Sequence, residues 1–528
     1  MIVAASRTSR RALSALARAW LVASLLSLLA ACASLPSLEG RSVTTALTDT
    51  GATRLGRAVG AEVASHPGKS GIHPLSVPTD AFAARVLLAG AAEKSLDVQY
   101  YVWHGDETGY LLYEAMWRAA GRGVRVRILL DDANTKGLDE TIATLAARPN
   151  VEVRLYNPLL QRNARLLNFM TDFTRVNRRM HNKSFTADNE ATIVGGRNIG
   201  NEYFAAGTGV AFADLDVLAI GPVVREVSSE FDLYWNSASA YPAASIVGPP
   251  GPEAASKLEA KFADVRAEPP ARAYVAVLGE SQLVSDLIGG KLPFEWAHAQ
   301  VVRDDPAKTL DTAGRTDVLL LSELLPAIGQ PKTSFDLVSP YFVPGDGGTA
   351  ALEGLARGGV KIRVLTNSLA ATDVPSVHAG YAKRRCDLLR AGVQLYEIKP
   401  SAALEGIGEV KRKLGSSESV QLHAKTFQLD QARLFVGSFN FDQRSAHLNT
   451  EMGLVIDSPA LAQRIAAAFA AEVPEAAYQV RIARDGRCPE WIERTPAGEI
   501  TYDVDPGTSA RQRAWVEFLE GMPIEWLL

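Results

Sequence analysis

The stretch His181-Asn182-Lys183-Ser184-Phe185-Thr186-Ala187-Asp188, followed six residues later by Gly195-Gly196-Arg197-Asn198, recurs further along the chain. The second copy is His423-Ala424-Lys425-Thr426-Phe427-Gln428-Leu429-Asp430, followed six residues later by Gly437-Ser438-Phe439-Asn440. The register holds without a gap. Each copy reads as a β-hairpin. Residues i and i+2 of a strand share a face, so His181 lies beside Lys183 and His423 beside Lys425. The return strands Thr192-Ile193-Val194 and Leu434-Phe435-Val436 then bring Asn198 and Asn440 back toward the histidines. Each hairpin thus offers an imidazole, an ammonium and a carboxamide together. That set suits a phosphodiester: Lys and Asn hold non-bridging oxygens as charge develops, and His serves as nucleophile or general acid. One His-x-Lys alone would be noise, and a lone strand histidine is usually structural. Two copies in register are a motif with a mechanism.

Outward from the hairpins, the repeat continues. Ser95-Leu96-Asp97-Val98-Gln99-Tyr100-Tyr101 reads as a strand, Tyr110 to Ala120 as a helix, and Arg125-Val126-Arg127-Ile128-Leu129-Leu130 as a second strand ending on Asp131 and Asp132. The later half repeats the order: Ser334-Phe335-Asp336-Leu337-Val338, a helix over Thr349 to Ala356, then Lys361-Ile362-Arg363-Val364-Leu365-Thr366 ending on Asn367. Strand, helix, strand at this length is a βαβ unit, which predicts an α/β fold with partly parallel sheets. A repeat about 240 residues long means duplicated domains, not a solenoid. The organisation expected is residues 1–31 as a leader, 32–60 as a tether and 61–245 as a first domain. Residues 246–265 are expected as a linker that opens on the Gly/Pro-rich 246–252, and 266–528 as a second domain. Asp131, Asp132 and Asn367 end matching strands and are expected to support the site. Tyr100, Tyr101, Tyr341 and Phe342 stand near strand ends, as cleft lining or as core.

The paired motif resembles the HKD motif of the phospholipase D superfamily. That resemblance implies two similar α/β/α-sandwich domains related by a pseudo-twofold axis, with one active site at their interface. It implies a phosphohistidine formed on one His while the other protonates the leaving alcohol and then activates the incoming one. His181 is read as the nucleophile and His423 as the acid/base, although near-symmetry lets either copy take either part. Asp188 and Asp430 are implied to be structural, and neither metal nor cofactor is implied. Glu451 fits the family position of a carboxylate that orients a histidine. In the first half Asp216 is expected as the partner of His181, with Asp214 second. Gly196 stands where the second copy has Ser438, so one hydroxyl is missing there. The flanking words Met180–Phe185, Gly195–Phe204 and Phe212–Val217, with the closing Pro523–Leu528, are similar to the cardiolipin synthases, and among them to the C type. The likeness spans roughly residues 80–528. It implies transfer of a phosphatidyl group to phosphatidylglycerol, with phosphatidylethanolamine a possible donor. The rivals are a hydrolase of the same mechanism, phospholipase or nuclease, and a non-catalytic lipid-binding protein.

Composition bounds the rest. The 528 residues are 47% hydrophobic and 22% charged, as in folded proteins too long for one core. A formal charge of −4 gives no general attraction for nucleic acid; the partners expected, phospholipid substrates and a membrane surface, are those that the family resemblance and the leader imply. Arg7, Arg10, Arg11 and Arg18 precede an apolar run, Trp20 to Ala31, too short to span a bilayer. The run ends Leu29-Ala30-Ala31-Cys32, which resembles a lipobox and predicts acylation at Cys32. An ordinary signal peptide or uncleaved anchor is the alternative. Loss of residues 1–31, which hold four arginines and no acid, takes the formal charge from −4 to −8. A periplasm-facing lipoprotein results, and Ala33 favours the outer membrane. Cys386 and Cys488 are read as two unpaired thiols in preference to a disulfide. Leu159 to Met180 mixes apolar residues with Arg162, Arg165, Arg175, Arg178 and Arg179, as either an ordinary surface helix or a segment lying on anionic lipid.

Overall fold

The computed structural model describes residues 35–528 apart from 208, 282, 284–285, 287–290, 311–314, 403–406 and 408–418. The leader and Cys32 lie outside the described residues. The first half contributes β1 (Ser70–Leu75), β2 (Ser95–Tyr100), β3 (Arg125–Asp131), β4 (Val151–Tyr156), β5 (Ser184–Ala187), β6 (Ala191–Gly195), β7 (Ala211–Ala213), β8 (Asp216–Ile220) and β9 (Ala240–Pro242). The second contributes β10 (Glu295–Arg303), β11 (Ser334–Val338), β12 (Lys361–Asn367), β13 (Gln394–Ile398), β14 (Val420–Leu422), β15 (Thr426–Leu429), β16 (Arg433–Gly437), β17 (Met452–Asp457), β18 (Ala477–Arg481), β19 (Glu490–Thr495) and β20 (Gly498–Tyr502).

The strand order in the first half is β9-β4-β3-β2-β5-β6-β8-β1. In the second it is β18-β13-β12-β11-β15-β16-β17-β10, extended by β19 and β20. The three strands of each βαβ run are parallel and the hairpin strands antiparallel, in both halves alike. β1 pairs antiparallel with β10, so one continuous sheet runs through both halves. Ile72, Val194, Val217, Ala297, Val436, Met452 and Leu454 share one apolar core across that junction.

Why the strands register is visible in their charged residues. Asp97 sits opposite Arg127 in the parallel pair β2–β3, and Asp336 opposite Arg363 in β11–β12. Both pairs are buried and bidentate, at 2.7 and 2.9 Å and at 2.6 and 2.7 Å. A slip by one residue would leave two buried charges unpaired on opposite faces, which is costly. The intervening helices end at Gly123 (φ 95°) and Gly359 (φ 92°), a left-handed position that glycine takes without a Cβ clash.

The stretch expected as a linker differs from expectation. Residues 248–253 lack regular structure, but Ala243–Val247 and Ala254–Ala267 are helical. Leu258 and Phe262 of the longer helix, with Tyr274 of the next one (Pro269–Gly279), are buried in the core of the first half. Local Gly/Pro content marked the break and not the amphipathic helix after it. The two cysteines also differ from expectation: Cys386 and Cys488 are disulfide-bonded, across a separation of 102 residues. The helix Pro375–Arg390 carries Cys386 to the segment ahead of β19, a proximity that spacing does not reveal.

Candidate active site

The two motif hairpins, β5–β6 and β15–β16, lie on either side of the junction. Each turns on two consecutive residues with positive φ: Asp188 (51°) and Asn189 (54°), and Asp430 (54°) and Gln431 (53°). Each aspartate also gathers the amides that start the neighbouring strand. Asp188 accepts from the backbone N–H of Glu93, Lys94 and Ser95, Asp430 from Lys332, Thr333 and Ser334. Burial would raise Asp430, but those amides outweigh it and lower it. Both aspartates brace the fold and stand away from the chemistry.

The backbone ahead of each histidine is held from a strand end. Asp131, at the end of β3, accepts from Met180 N at 2.9 Å and ion-pairs with Arg179. Asn367, at the matching end of β12, bonds Leu422 through both its side-chain atoms. Each histidine segment then pairs with the other half of the molecule. His181 N donates to Thr450 O, and His423 N donates to Ala213 O, beside the short parallel pair β7–β14. Thr450 and Ala213 each precede a carboxylate.

The result is an exchange of carboxylates between halves. His181 Nδ1 bonds Glu451 Oε2 at 2.8 Å, and His423 Nδ1 bonds Asp214 Oδ2 at 2.6 Å. This corrects the expectation of Asp216 as the partner of His181. Asp216 is buried against Arg85 (2.8 Å) and Arg197 (3.4 Å) and touches neither histidine. Strand register explains the difference. Gly195 pairs with Asp216 and Gly437 with Gly453, so Asp216 corresponds to Gly453 and Asp214 to Glu451. Gly196 has a physical reason too. A Cβ there would lie 2.1 Å from Asp214 Oδ1, whereas Ser438 donates its hydroxyl to the longer Glu451. Ser445 Oγ donates to the other oxygen of Glu451 at 2.7 Å, a contact no sequence pattern announced.

His181 and His423 open into one cavity of about 490 Å³. Lys425, Asn198, Asn440, Tyr101, Tyr203, Tyr341, Glu202, Asp373 and Arg444 also line it. Lys183 and Lys425 are buried and donate to the carbonyl oxygens of His181 and His423. Asn198 donates to Tyr203 Oη and accepts from Val102 N, which leaves one of its two N–H groups for a substrate. Asn440 Oδ1 is buried with no hydrogen-bond partner among the described residues. Tyr101 meets His181 edge-on at 4.9 Å, while Phe212 stacks on His423 at 5.2 Å. Tyr341 lines the cavity, whereas Tyr100 and Phe342 belong to the core. His104, which sequence context did not single out, meets Glu202 at 3.1 Å on the cavity wall.

Charge separates the two sides. Burial, with Lys183 and Lys425 nearby, holds His181 well below the usual imidazole range. Burial also raises Glu451 to about 7, against the pull of Lys183, Ser438 and Ser445. Burial alone would raise Asp214, but His423, Lys425 and Arg197 outweigh it and hold it at about 2. Burial lowers Lys183 to about 7 and Lys425 to about 8. A neutral His181 whose Nδ1–H faces Glu451 leaves Nε2 free as a nucleophile. Burial and Lys425 lower His423 as well, while the ionised Asp214 opposes them and favours its imidazolium. With the lysines, the cavity can bind a monoanionic diester and pass it between two alcohols.

The sequence matches the family model described as "Cardiolipin synthase, PLD-like domain" twice, over residues 87–235 and 324–473. Cardiolipin synthase C of Escherichia coli (strain K12) is 47% identical over 475 residues, covering 90% of this chain and 100% of that protein. Cardiolipin synthase B of the same organism is 25% identical over 369 residues, covering 70% and 71%. The crystal structure of phosphatidylserine synthase from Haemophilus influenzae Rd KW20 shares the fold at a TM-score of 0.54 and 12% identity, over 89% of this chain and 100% of that one.

Proposed function

The chain belongs to the cardiolipin synthase family of phospholipase D-like proteins, and from that membership we propose that it makes cardiolipin by transferring a phosphatidyl group to phosphatidylglycerol. The observation that carries the reading is the pair of histidines in one cavity, each oriented by a carboxylate of the opposite half.

In the first step His181 Nε2 attacks the phosphorus of the donor lipid. The bond to the leaving alcohol breaks, and the His423 imidazolium supplies its proton. Lys183, Lys425 and the free N–H of Asn198 offset the charge on the non-bridging oxygens. In the second step neutral His423 takes the proton of the primary hydroxyl of phosphatidylglycerol. That oxygen attacks the phosphohistidine, and His181 leaves as neutral imidazole. Phosphatidylethanolamine and a second phosphatidylglycerol are the donors proposed. Acylation at Cys32 and a place on the periplasmic side of the envelope, at the outer membrane, complete the proposal.

The test is incubation of the protein with phosphatidylglycerol vesicles, with and without phosphatidylethanolamine, and mass analysis of the lipids. Cardiolipin from wild type, absent from His181→Ala and His423→Ala, is the expected result. Phosphatidic acid without cardiolipin would make the protein a hydrolase, with water as acceptor. No lipid product would leave the family assignment and remove this substrate.

A further inference from the structure

Arg444 joins three pieces of chain at one edge of the catalytic cavity. Its backbone N–H donates to Leu528 O at 2.7 Å and its Nε to Leu527 O at 3.0 Å. Its Nη2 donates to Asn177 Oδ1 at 2.6 Å. Leu527, Leu528 and Arg444 line the cavity. Asn177 closes the short helix Phe173–Val176, which follows the helix Arg165–Thr171. Arg444 thus ties Asn177, the end of the segment 165–177, and the last turn, Glu525–Leu527, to one edge of the cavity.

Both carry large apolar side chains in water. Leu166 is 76% exposed, Met170 77% and Trp526 58%, with Leu167, Phe169 and Phe173 each above a third. Leu166 and Met170 follow the i, i+4 spacing of one helical face, and Phe173 opens the next helix. A soluble protein rarely leaves such residues clustered unless something covers them. The arginines of this segment turn inward. Arg162 pairs with Asp132 and Asp139, Arg175 with Asp172 and Arg179 with Asp131, while Arg165 donates to the carbonyls of Asp132 and Ala133. The basic character expected to draw this segment to anionic lipid is thus spent inside the protein.

We propose that Leu166, Leu167, Phe169, Met170, Phe173 and Trp526 form a surface that inserts into the headgroup–acyl boundary of a phospholipid bilayer and sets the cavity mouth against it. The inference rests on the reading of the cavity as a phospholipid site. A bilayer is the occupant because the patch adjoins the opening, where a bound protein would stand between cavity and substrate. Burial of apolar side chains drives insertion by itself, so it needs no charge attraction.

The test uses the full chain in a Cys32→Ser background, which removes a competing thiol and any acyl anchor. An environment-sensitive dye is placed at Met170→Cys or, as a control, at Ile500→Cys on the exposed β20. Vesicles of phosphatidylglycerol and phosphatidylethanolamine should shift the dye at 170 to the blue and leave that at 500 unchanged, in 1 M salt as at low salt. The triple variant L166S/M170S/W526S should turn over vesicle lipid at least tenfold more slowly and dispersed short-chain phosphatidylglycerol at the wild-type rate. No shift at 170, a shift abolished by salt, or equal loss on both substrates would overturn the proposal. A wild type that inserts at 170 yet converts no phospholipid would overturn the function and leave the surface standing.

Discussion

On one side of the cavity His181 leans on Glu451, which burial raises to about 7; on the other His423 leans on Asp214, which its cationic neighbours hold at about 2. The hairpins that carry the two histidines match in register, turn geometry and bracing aspartate. Their carboxylates differ by one methylene and by the residue beneath, Ser438 or Gly196. Duplication supplied the geometry, and small departures from it set the two carboxylates apart. Burial and the lysines lower both histidines, and at His423 the ionised Asp214 pulls the other way, toward the imidazolium.

The strongest way to break that comparison is to remove each histidine. His181→Ala and His423→Ala should each lower transfer by about 10⁴-fold or more, because the two act as one unit. With a donor whose leaving group needs no proton, such as a p-nitrophenyl diester, His423→Ala should still release a burst of p-nitrophenol and His181→Ala should not. Equal loss of the burst would erase the division. Next come the carboxylates. Asp214→Asn should cost about 10³- to 10⁴-fold, by analogy with loss of the carboxylate from a catalytic triad. Glu451→Gln should cost about 10- to 100-fold, as for an orienting partner that carries little charge. Steady-state rates on the same lipid vesicles compare the two, and a reversed order would contradict the assignment.

The pH profile sharpens the comparison further. An ionised Glu451 is the stronger acceptor for the Nδ1–H of His181, so kcat/KM should fall as pH drops through about 7, by no more than the loss in Glu451→Gln. Lys183 loses its charge as pH rises through about 7 and Lys425 through about 8, which sets the alkaline limb. A bound phosphodiester anion raises both lysines, so the alkaline limb of kcat should move up. Glu451→Gln should flatten the acid limb. The smallest effect concerns the braces. Asp188 is fully buried and Asp430 is only partly so. Asp188→Ala should therefore destabilise by about 2–3 kcal/mol and Asp430→Ala by about 1 kcal/mol, read by chemical denaturation.

Much of this was legible in the chain itself. The motif register located both histidines and both lysines, the family resemblance implied the bracing role of Asp188 and Asp430, and the βαβ repeat anticipated matching sheets. What stayed hidden depends on contacts between halves. His181 and Glu451 are 270 positions apart, and His423 and Asp214 are 209 apart, so spacing says nothing of their meeting. Asp214 and Asp216 lie two residues apart on one short segment. Aligning Asp214-Leu215-Asp216-Val217 with Glu451-Met452-Gly453-Leu454 would have chosen between them. The inward arginines were equally opaque, because their partners Asp131, Asp132 and Asp139 lie well upstream in the chain.

The most direct test of the division is to find where the phosphoryl group stops. The protein would be mixed with a p-nitrophenyl phosphatidyl diester, quenched at alkaline pH, digested and mapped by mass spectrometry. The account predicts the adduct on the peptide containing His181, accumulating further in His423→Ala. An adduct on the His423 peptide, with none on His181, would contradict it.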